Sequence, residues 1–453
     1  MPHLVFPLQV SATSATVWVG AINENFDPAQ IALTINQTPV PLSASWEQWR
    51  SQDDERRIDF QRVTIPGRQS GTAYDLECLV NGVVKSTARL TTLPTQLPSP
   101  ADPGPFIVLL GSCFYEPKDD GRAGKLFRQM PAGAKPHVKL LCGDQVYLDN
   151  PAYQFILPRS RSGLEKNFLK KYLKNWTQQS DGEGYREVLK AGANLFCADD
   201  HEYWNNFPFG ASYLPQTWLR TGRERWLAAT EPLYRLFQTT APTQTFEVGN
   251  LSFFIADTRS TRDEDRRNFL APAAFEQLRK WANNLTGPGA LALGQAIFAG
   301  QAGELGGRFG DFGLPDFKQY EELVKVLSGA THSLLLLTGD VHFGRVASCT
   351  LPSGAKLIEV ISSPMSLISG TFGGDWAAPP ERFPAFPIQD VVQRPIETAE
   401  VRPGEVFKME GNHFATLEFT QLGAKVKMTA RYWPVSDDDE SLVPVVLPEI
   451  LLQ

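Results

Sequence analysis

The chain divides into two stretches that differ in how apolar residues are spaced. Between residues 1 and 93, short segments alternate apolar and polar positions, and turn residues separate them. No helical spacing of three to four residues is visible there. Regularly spaced short strands of this kind predict a β-sandwich domain over residues 1–93. The predicted strands are 15–21, 31–36, 57–65, 73–82 and 85–94.

A proline-rich segment follows and predicts a linker at 94–105. Beyond it, from 106 to 433, apolar runs of strand length are continuous rather than alternating, as a sheet covered on both faces requires. These runs are 106–110, 138–142, 194–198, 251–256, 333–337 and 356–361.

Helices are predicted at 274–285 and 316–329, where apolar residues recur three or four apart. The alternation of strands and helices indicates an α/β fold of layered sheets with flanking helices. A closing antiparallel pair is predicted at 413–420 and 424–433, which leaves 434–453 as a C-terminal tail. Gly411-Asn412-His413 is interpreted as the start of the first strand of that pair.

Polar residues that can bind metals or phosphate follow five of the apolar runs. In open α/β sheets, the functional crevice lies at the carboxyl ends of the strands, so we expect these residues to converge. The residues are Cys113 after the first run, Asp144 and Tyr147 after the second, Asp199 to Asn206 after the third, Asp257 to Arg262 after the fourth, and Asp340 and His342 after the fifth.

Several carboxylates that converge without lysines cannot all stay ionised unless a cation neutralises them. Asp340 and His342 are two residues apart, so both would face the same side of an extended segment. Carboxylate, imidazole, amide and phenolate donors favour hard or borderline metal ions. The sequence therefore predicts a metal site, in which a bridging Asp would allow two ions to clamp a phosphate and activate a hydroxide.

Five motifs in this order resemble those of the PhoD-type alkaline phosphatases and phosphodiesterases, a branch of the calcineurin-like metallophosphoesterase superfamily. They are GSC (111–113), GDxxY (143–147), DDHExxNN (199–206), DTRSxR (257–262) and GDVH (339–342). The resemblance spans about residues 1–433, because that family also carries an N-terminal sandwich of fibronectin-like type. It implies a metallophosphoesterase catalytic domain over 106–433.

The resemblance also implies a site with iron(III) and calcium, although other divalent metals fit the second position. Cys113, Asp144, Tyr147 and His342 would hold the iron. Asp144 would bridge to the calcium, where Asp199, Asn206 and Asp340 match ligand positions. Arg259 and Arg262 would donate to the substrate phosphate, unless they are ordinary surface or ion-paired arginines. His201 would orient a ligand or act as a general acid.

Composition narrows the classes of protein that fit. Of the 453 residues, 42% are hydrophobic and 21% charged, as expected for a globular protein. A net charge of −7 argues against general nucleic-acid or anionic-membrane binding. No apolar run is long enough to span a membrane. With no export signal at its start, the chain reads as cytoplasmic as it stands, or as periplasmic or extracellular if a signal peptide was removed.

The predicted function is metal-dependent hydrolysis of small phosphate esters, by phosphodiesterase or alkaline phosphomonoesterase activity or both. One alternative is a non-catalytic binding protein with an inactive metallophosphoesterase domain. A second is a hydrolase that uses Ser112 as its nucleophile, although no Gly-x-Ser-x-Gly elbow surrounds that residue.

Overall fold

A computed structural model describes residues 3–22, 27–150, 157–177, 184–239, 241–366, 377–436 and 442–453. Its first strands form two four-stranded antiparallel sheets. The strands are β1 (His3–Val10), β2 (Ser14–Ile22), β3 (Ile31–Ile35), β4 (Thr38–Val40), β5 (Glu47–Arg50), β6 (Arg57–Pro66), β7 (Ala73–Val80) and β8 (Val83–Thr91). The sheet orders are β1-β2-β6-β5 and β4-β3-β7-β8.

The inward-facing residues of both sheets share one apolar core, which contains Val17 and Val19 of β2, Leu33 of β3 and Leu76 of β7. All five strands predicted in this region are present. The sequence did not reveal β1, because both of its faces are buried and its residues therefore do not alternate. Val5 lies in the core between the two sheets, whereas Phe6 packs against the remainder of the chain.

The remaining strands and the helices complete the fold. The strands are β9 (Phe106–Gly111), β10 (Val138–Cys142), β11 (Ala193–Cys197), β12 (Thr243–Val248), β13 (Leu251–Ala256), β14 (Gly289–Ala292), β15 (Leu334–Thr338), β16 (Arg345–Thr350), β17 (Lys356–Ile361), β18 (Arg382–Phe383), β19 (Arg394–Pro395), β20 (Glu397–Thr398), β21 (Glu400–Arg402), β22 (Glu405–Val406), β23 (His413–Leu422), β24 (Lys425–Pro434), β25 (Val445–Val446) and β26 (Ile450–Leu452). The α-helices are α1 (Glu116–Asp119), α2 (Arg122–Gln129), α3 (Arg161–Trp176), α4 (Tyr185–Leu189), α5 (Arg220–Phe237), α6 (Pro272–Asn283), α7 (Gly303–Phe309) and α8 (Gln319–Ser328).

Two seven-stranded mixed sheets contain the six predicted apolar strands, which are confirmed. One has the order β11-β10-β9-β23-β24-β25, with β26 also paired to β24, and the other has the order β12-β13-β14-β15-β17-β16-β20. Within them, β9, β10 and β11 are parallel, as are β13, β14, β15 and β17. The predicted antiparallel pair is β23 and β24, and β23 begins at His413.

Both faces of each seven-stranded sheet are covered, which explains the continuous apolar strands. Side chains of the two sheets, such as Leu110 of β9 and Leu335 of β15, share one core. Helices α3 and α5 cover the outer face of the first sheet, and α6 and α8 pack against the second. The predicted helices at 274–285 and 316–329 correspond to α6 and α8.

The predicted tail at 434–453 contributes β25 and β26, which extend the first seven-stranded sheet by pairing with β24. Among the described residues, no helix combines the length and the apolar character needed to cross a bilayer.

Candidate metal centre

Four strands from the two seven-stranded sheets deliver potential metal ligands to one place. Cys113 follows β9, Asp144 follows β10, Asp199 follows β11 and Asp340 follows β15. Their ligand atoms form groups in which every atom lies within 4.8 Å of the others. The groups are Cys113–Asp144–His342, Asp144–Asp199–Asp340 and Asp144–Asp200–His201. Asp144 belongs to all three, so one carboxylate links three sets of donors.

The backbone at these residues is strained in a way that supports a functional role. Five of the seven candidate ligands have left-handed backbone conformations, with φ angles of 56–69°. Non-glycine residues rarely adopt this region, which costs on the order of 1–3 kcal/mol each and concentrates at functional sites. The five are Cys113 (57°), Asp144 (56°), Asn206 (63°), Asp340 (69°) and His342 (60°).

Glycines at 143 and 339 allow the ligand loops to approach one another closely. At Gly143, φ is +89°, and a Cβ atom would lie 2.4 Å from the Cβ of Asp199. At Gly339, a Cβ would lie 2.4 Å from the side chain of Ser112. Gly143 thus permits a sharp turn of the backbone. The structure shows that Gly339 is needed for close packing, while the left-handed residue there is Asp340 itself.

The side chains of Cys113 and Tyr147 contact the same carboxylate oxygen of Asp144. The Cys113 Sγ and the Tyr147 hydroxyl are each 3.4 Å from Asp144 Oδ2. Burial, followed by the neighbouring acidic groups, raises the pKa of both side chains well above their ordinary values. The thiol and the phenol would therefore stay protonated at neutral pH unless a cation replaced their protons.

The other side of Asp144 is a cluster of acids. Burial raises the pKa of Asp144, Asp199 and Asp340, and neighbouring carboxylates contribute in the same direction. Asp199 Oδ2 is buried and has no hydrogen-bond partner among the described residues. A buried carboxylate oxygen without a partner is costly, and a bound metal ion would satisfy it. The donor set thus fits a cation on this side.

Arg259 is placed differently from the expected phosphate donor. Its side chain is wholly buried, with Nε 2.7 Å from Asp199 Oδ1 and Nη1 3.0 Å from Asp311 Oδ1. Its Nη1 also donates to the carbonyl of Phe207 at 3.0 Å. The guanidinium is therefore bracketed by two carboxylates, and it fixes the orientation of Asp199.

Arg262 is also buried, and its donors are directed at protein groups. Nε donates to the Thr258 carbonyl at 2.9 Å, and Nη1 donates to that of Phe312 at 3.0 Å. Nη2 donates to Gln295 Oε1 at 2.5 Å. Gln295 in turn donates to Asp340 Oδ2 at 3.1 Å, so Arg262 reaches the metal ligands through this amide.

His201 adjoins Tyr147 and Asp144. Its ring stacks on Tyr147, with centroids 4.2 Å apart, and its Nδ1 lies 2.7 Å from Asp149 Oδ1. Its backbone N–H donates to Asp144 Oδ1 at 3.1 Å. Burial alone would lower the pKa of the imidazole, but Asp149, Asp200 and Asp144 raise it well above its usual value. His201 is therefore placed to carry a proton beside the cluster.

The Asn206 side chain lies beside the cluster and bonds to a neighbouring loop. Its Nδ2 donates to the Gly307 carbonyl at 2.8 Å, and its Oδ1 accepts from Phe312 N at 3.2 Å. The structure therefore brings five of the other six predicted ligands around Asp144, and it orients the Asn206 amide toward residues 307–312. A ligand role for Asn206 stays a prediction.

Sequence reasoning missed Glu202, whose carboxylate ties the ligand loops together. Its Oε2 accepts the N–H groups of Asp144 at 2.8 Å and of Asp199 at 3.0 Å, and Oε1 accepts that of Gln145 at 2.5 Å. Burial raises the pKa of this carboxyl to about 7, against these hydrogen bonds. The signal was present, since Glu202 lies within the DDHE motif at 199–202.

Comparison with known proteins bears on the fold. Neither family models nor curated proteins give a match to this sequence. A solved structure described as "Structure of PhoD" aligns with 99% of this chain and 88% of its own, at a TM-score of 0.60 and 14% sequence identity. This likeness extends over both the N-terminal sheets and the seven-stranded pair. The chain therefore has a PhoD-type fold.

Proposed function

We propose that the chain hydrolyses small phosphate esters at a two-metal centre built around Asp144. The observation that carries the proposal is the arrangement of two donor groups that share this carboxylate, Cys113–Asp144–His342 and Asp144–Asp199–Asp340. One carboxylate between two donor sets is the arrangement that two neighbouring metal ions require. The likeness of the fold to PhoD supports the same class of reaction.

The donor sets differ, and the difference supports different metals on the two sides. Cys113, Tyr147 and His342 with Asp144 would hold iron(III), because a thiolate and a phenolate are strong anionic donors that favour a ferric ion. Asp144, Asp199 and Asp340 would hold calcium or another divalent ion, since their donors are hard carboxylates. When bound, such ions supply Lewis acidity and a water molecule of lowered pKa.

The residues around the ligands would either hold the ligands in position or transfer a proton. Arg259 holds Asp199 in place from a buried site, so we propose a positioning role for it instead of direct contact with phosphate. Arg262 acts through Gln295 on Asp340. His201, held by Asp149, is the group best placed to give a proton to a departing alcohol.

We further propose that residues 1–93 form a fibronectin-like sandwich, joined by the linker at 94–105 to a layered metallophosphoesterase domain at 106–433, with 434–453 as its C-terminal tail. Two facing seven-stranded sheets covered by helices on both outer sides support this architecture. The shared core of the two four-stranded sheets supports the sandwich.

The test measures metal content and turnover on the same preparation. Wild-type protein purified without chelators should contain iron and a second metal, and it should show a visible charge-transfer band from the thiolate or phenolate. It should hydrolyse bis(4-nitrophenyl) phosphate or 4-nitrophenyl phosphate. Asp144→Asn should lose both metals and at least roughly a hundred-fold of kcat/KM, because metal ions supply several kcal/mol of transition-state stabilisation.

Asp59→Asn is the matched control, because Asp59 is a buried carboxylate in β6 outside the cluster. It should keep metal and activity. Full activity and metal in Asp144→Asn would overturn the proposal. A metal-loaded wild-type chain that hydrolyses neither substrate would favour a non-catalytic binding protein. If chelators leave the activity intact and Ser112→Ala abolishes it, a serine hydrolase would be favoured, although Ser112 is fully buried.

A further inference from the structure

A cavity of about 540 Å³ opens beside Asn206, whose N–H donates to Oδ2 of Asp200 in the acidic cluster at 2.6 Å. Its wall includes Phe312, whose N–H donates to Asn206 Oδ1 at 3.2 Å. The preceding residue, Asp311, brackets Arg259, which in turn holds Asp199. The cavity therefore adjoins the candidate cluster at Asn206, which lines it, and through the contacts that hold Asp199.

Three aromatic residues line the cavity, namely Phe209, Trp218 and Phe312. Phe209 and Phe312 lie 4.8 Å apart between ring centroids. Trp218 is 59% exposed and is the only aromatic residue among the strongly exposed large apolar side chains of the described part of the chain. An exposed tryptophan on a concave wall offers apolar surface to a ligand.

Trp218 is held in place. Its indole N–H donates to the Ala211 carbonyl at 2.8 Å, and Arg223 donates to the Trp218 carbonyl at 3.3 Å. The ring is thus positioned at both its polar edge and its backbone before any ligand arrives. A preorganised surface loses less conformational entropy on binding than a mobile one.

The charged side chains of the cavity each form an ion pair. Arg266 lies over the Phe312 ring at 4.7 Å and forms an ion pair with Glu304. Glu264 pairs with Arg223 at 3.1 Å. Among the described side chains, the cation that lines the cavity is Arg266, and it already has an acidic partner, so the pocket offers little to a second phosphate or carboxylate. Its chemistry favours an uncharged ring.

We propose that this pocket binds the planar, uncharged ring of an organic phosphate ester while the phosphate lies at the metal cluster. This inference rests on the proposed function and names its substrate class. A ring of this kind could belong to an aryl alcohol or to a nucleobase, because both present the flat, apolar face that Trp218 can stack against. The volume suits one ring system.

The test compares inhibitors that differ in the ring alone. Phenylphosphonate should inhibit bis(4-nitrophenyl) phosphate hydrolysis with a Ki about five-fold lower than methylphosphonate, the equivalent of about 1 kcal/mol for one aromatic contact. Cyclohexylphosphonate should resemble the methyl compound, because its ring is not planar. In Trp218→Ala, the preference for phenyl should disappear while the Ki of methylphosphonate stays unchanged. Trp218→Phe should retain most of the preference.

Leu219→Ala is the matched control, because Leu219 is the adjacent exposed apolar residue, at 71%, and it does not line the cavity. It should keep the phenyl preference. A second arm compares AMP with ribose 5-phosphate: a gain for AMP that Trp218→Ala removes identifies a nucleobase, and a gain confined to phenylphosphonate identifies an aryl group.

Equal Ki values for phenyl- and methylphosphonate in wild type would overturn the proposal, as would a preference that Trp218→Ala leaves intact or a cyclohexyl compound that binds as well as the phenyl one. Calorimetry of the same phosphonates on the metal-loaded chain separates the two claims. Ring-dependent binding without any ester hydrolysis would contradict the proposed function and leave the pocket supported. Hydrolysis without ring-dependent binding would support the proposed function and contradict the pocket.

Discussion

At the scale of single residues, Glu202 is the point where the two ligand loops meet. Glutamine in its place would keep one acceptor oxygen but turn an N–H donor toward backbone N–H groups that now donate to Glu202. We expect Glu202→Gln to lower metal occupancy and kcat/KM by roughly 10- to 100-fold, as is typical for residues that orient metal ligands. Elemental analysis and steady-state kinetics measure both effects.

Glu165→Gln provides the control for that variant. Glu165 is equally buried and accepts a backbone N–H from Gln52 at 2.6 Å, but it lies on α3 away from the cluster. It should lose stability and keep its metals. Equal metal loss in both variants would show that the Glu202 effect reflects general destabilisation and would contradict a positioning role.

The buried imidazole of His413 should make the free energy of unfolding depend on pH. Burial lowers the pKa of its imidazole from 6.5 to about 4, so the unfolded chain binds a proton that the folded chain does not. Stability is therefore complete above pH 6.5 and is lost as the pH falls toward 4. Between pH 7 and about pH 4.5, His413 should contribute a loss of roughly 2.5 kcal/mol. Denaturant unfolding of wild type and His413→Asn at both pH values measures the difference, and parallel losses would refute it.

At the scale of elements, α3 supports the loop that carries Tyr147. The Lys171 ammonium donates to the carbonyls of Leu148 at 2.6 Å and Tyr147 at 3.1 Å, and it also contacts the carbonyl of Asn150. Lys171→Met keeps the aliphatic stem and leaves these carbonyls unpaired. We expect a loss of roughly 2–4 kcal/mol in the free energy of unfolding and a weaker charge-transfer band. Lys170→Met, at the exposed neighbouring position, should change neither.

The elements also explain how far the sequence could predict the site. Continuous apolar runs identified β9, β10, β11, β13 and β15, and therefore the polar residues at their ends. Strand β14 (Gly289–Ala292) is built from small residues and gave no such signal. Gln295 follows it just as Asp340 follows β15, so missing the strand meant missing the amide that joins Arg262 to Asp340.

Asp311 lay beyond sequence reasoning for a different reason. It lies in the loop after α7, and only the tertiary contact with Arg259 gives it a role. The same contact encloses the guanidinium of Arg259, and a DTRSxR motif at a strand end carries no sign of such a distant carboxylate. Pairings between residues some fifty positions apart in sequence follow from packing and cannot be read from spacing.

At the scale of the whole molecule, the N-terminal sheets are joined to the seven-stranded sheets and their helices by more than the connecting segment at 94–105. Trp18 of β2 stacks on Phe6 and Phe60, and it also lies 6.1 Å from Phe237 of α5, centroid to centroid. Its indole N–H donates to the Leu236 carbonyl at 3.1 Å. The apolar core under the first seven-stranded sheet therefore continues into the N-terminal region, and the two parts should unfold together.

Trp18→Ala tests this coupling. Removing a fully buried indole at the junction should lower the free energy of unfolding by about 3–5 kcal/mol, and calorimetry should still record one transition, shifted to lower temperature. Activity of the folded protein should be unchanged, because Trp18 touches none of the candidate ligands. Val84→Ala, at an exposed position of β8, should leave the transition in place. Two separate transitions, with only the first shifted by Trp18→Ala, would instead mean that the N-terminal sheets fold independently and that their contact with α5 adds little to the stability of the seven-stranded sheets.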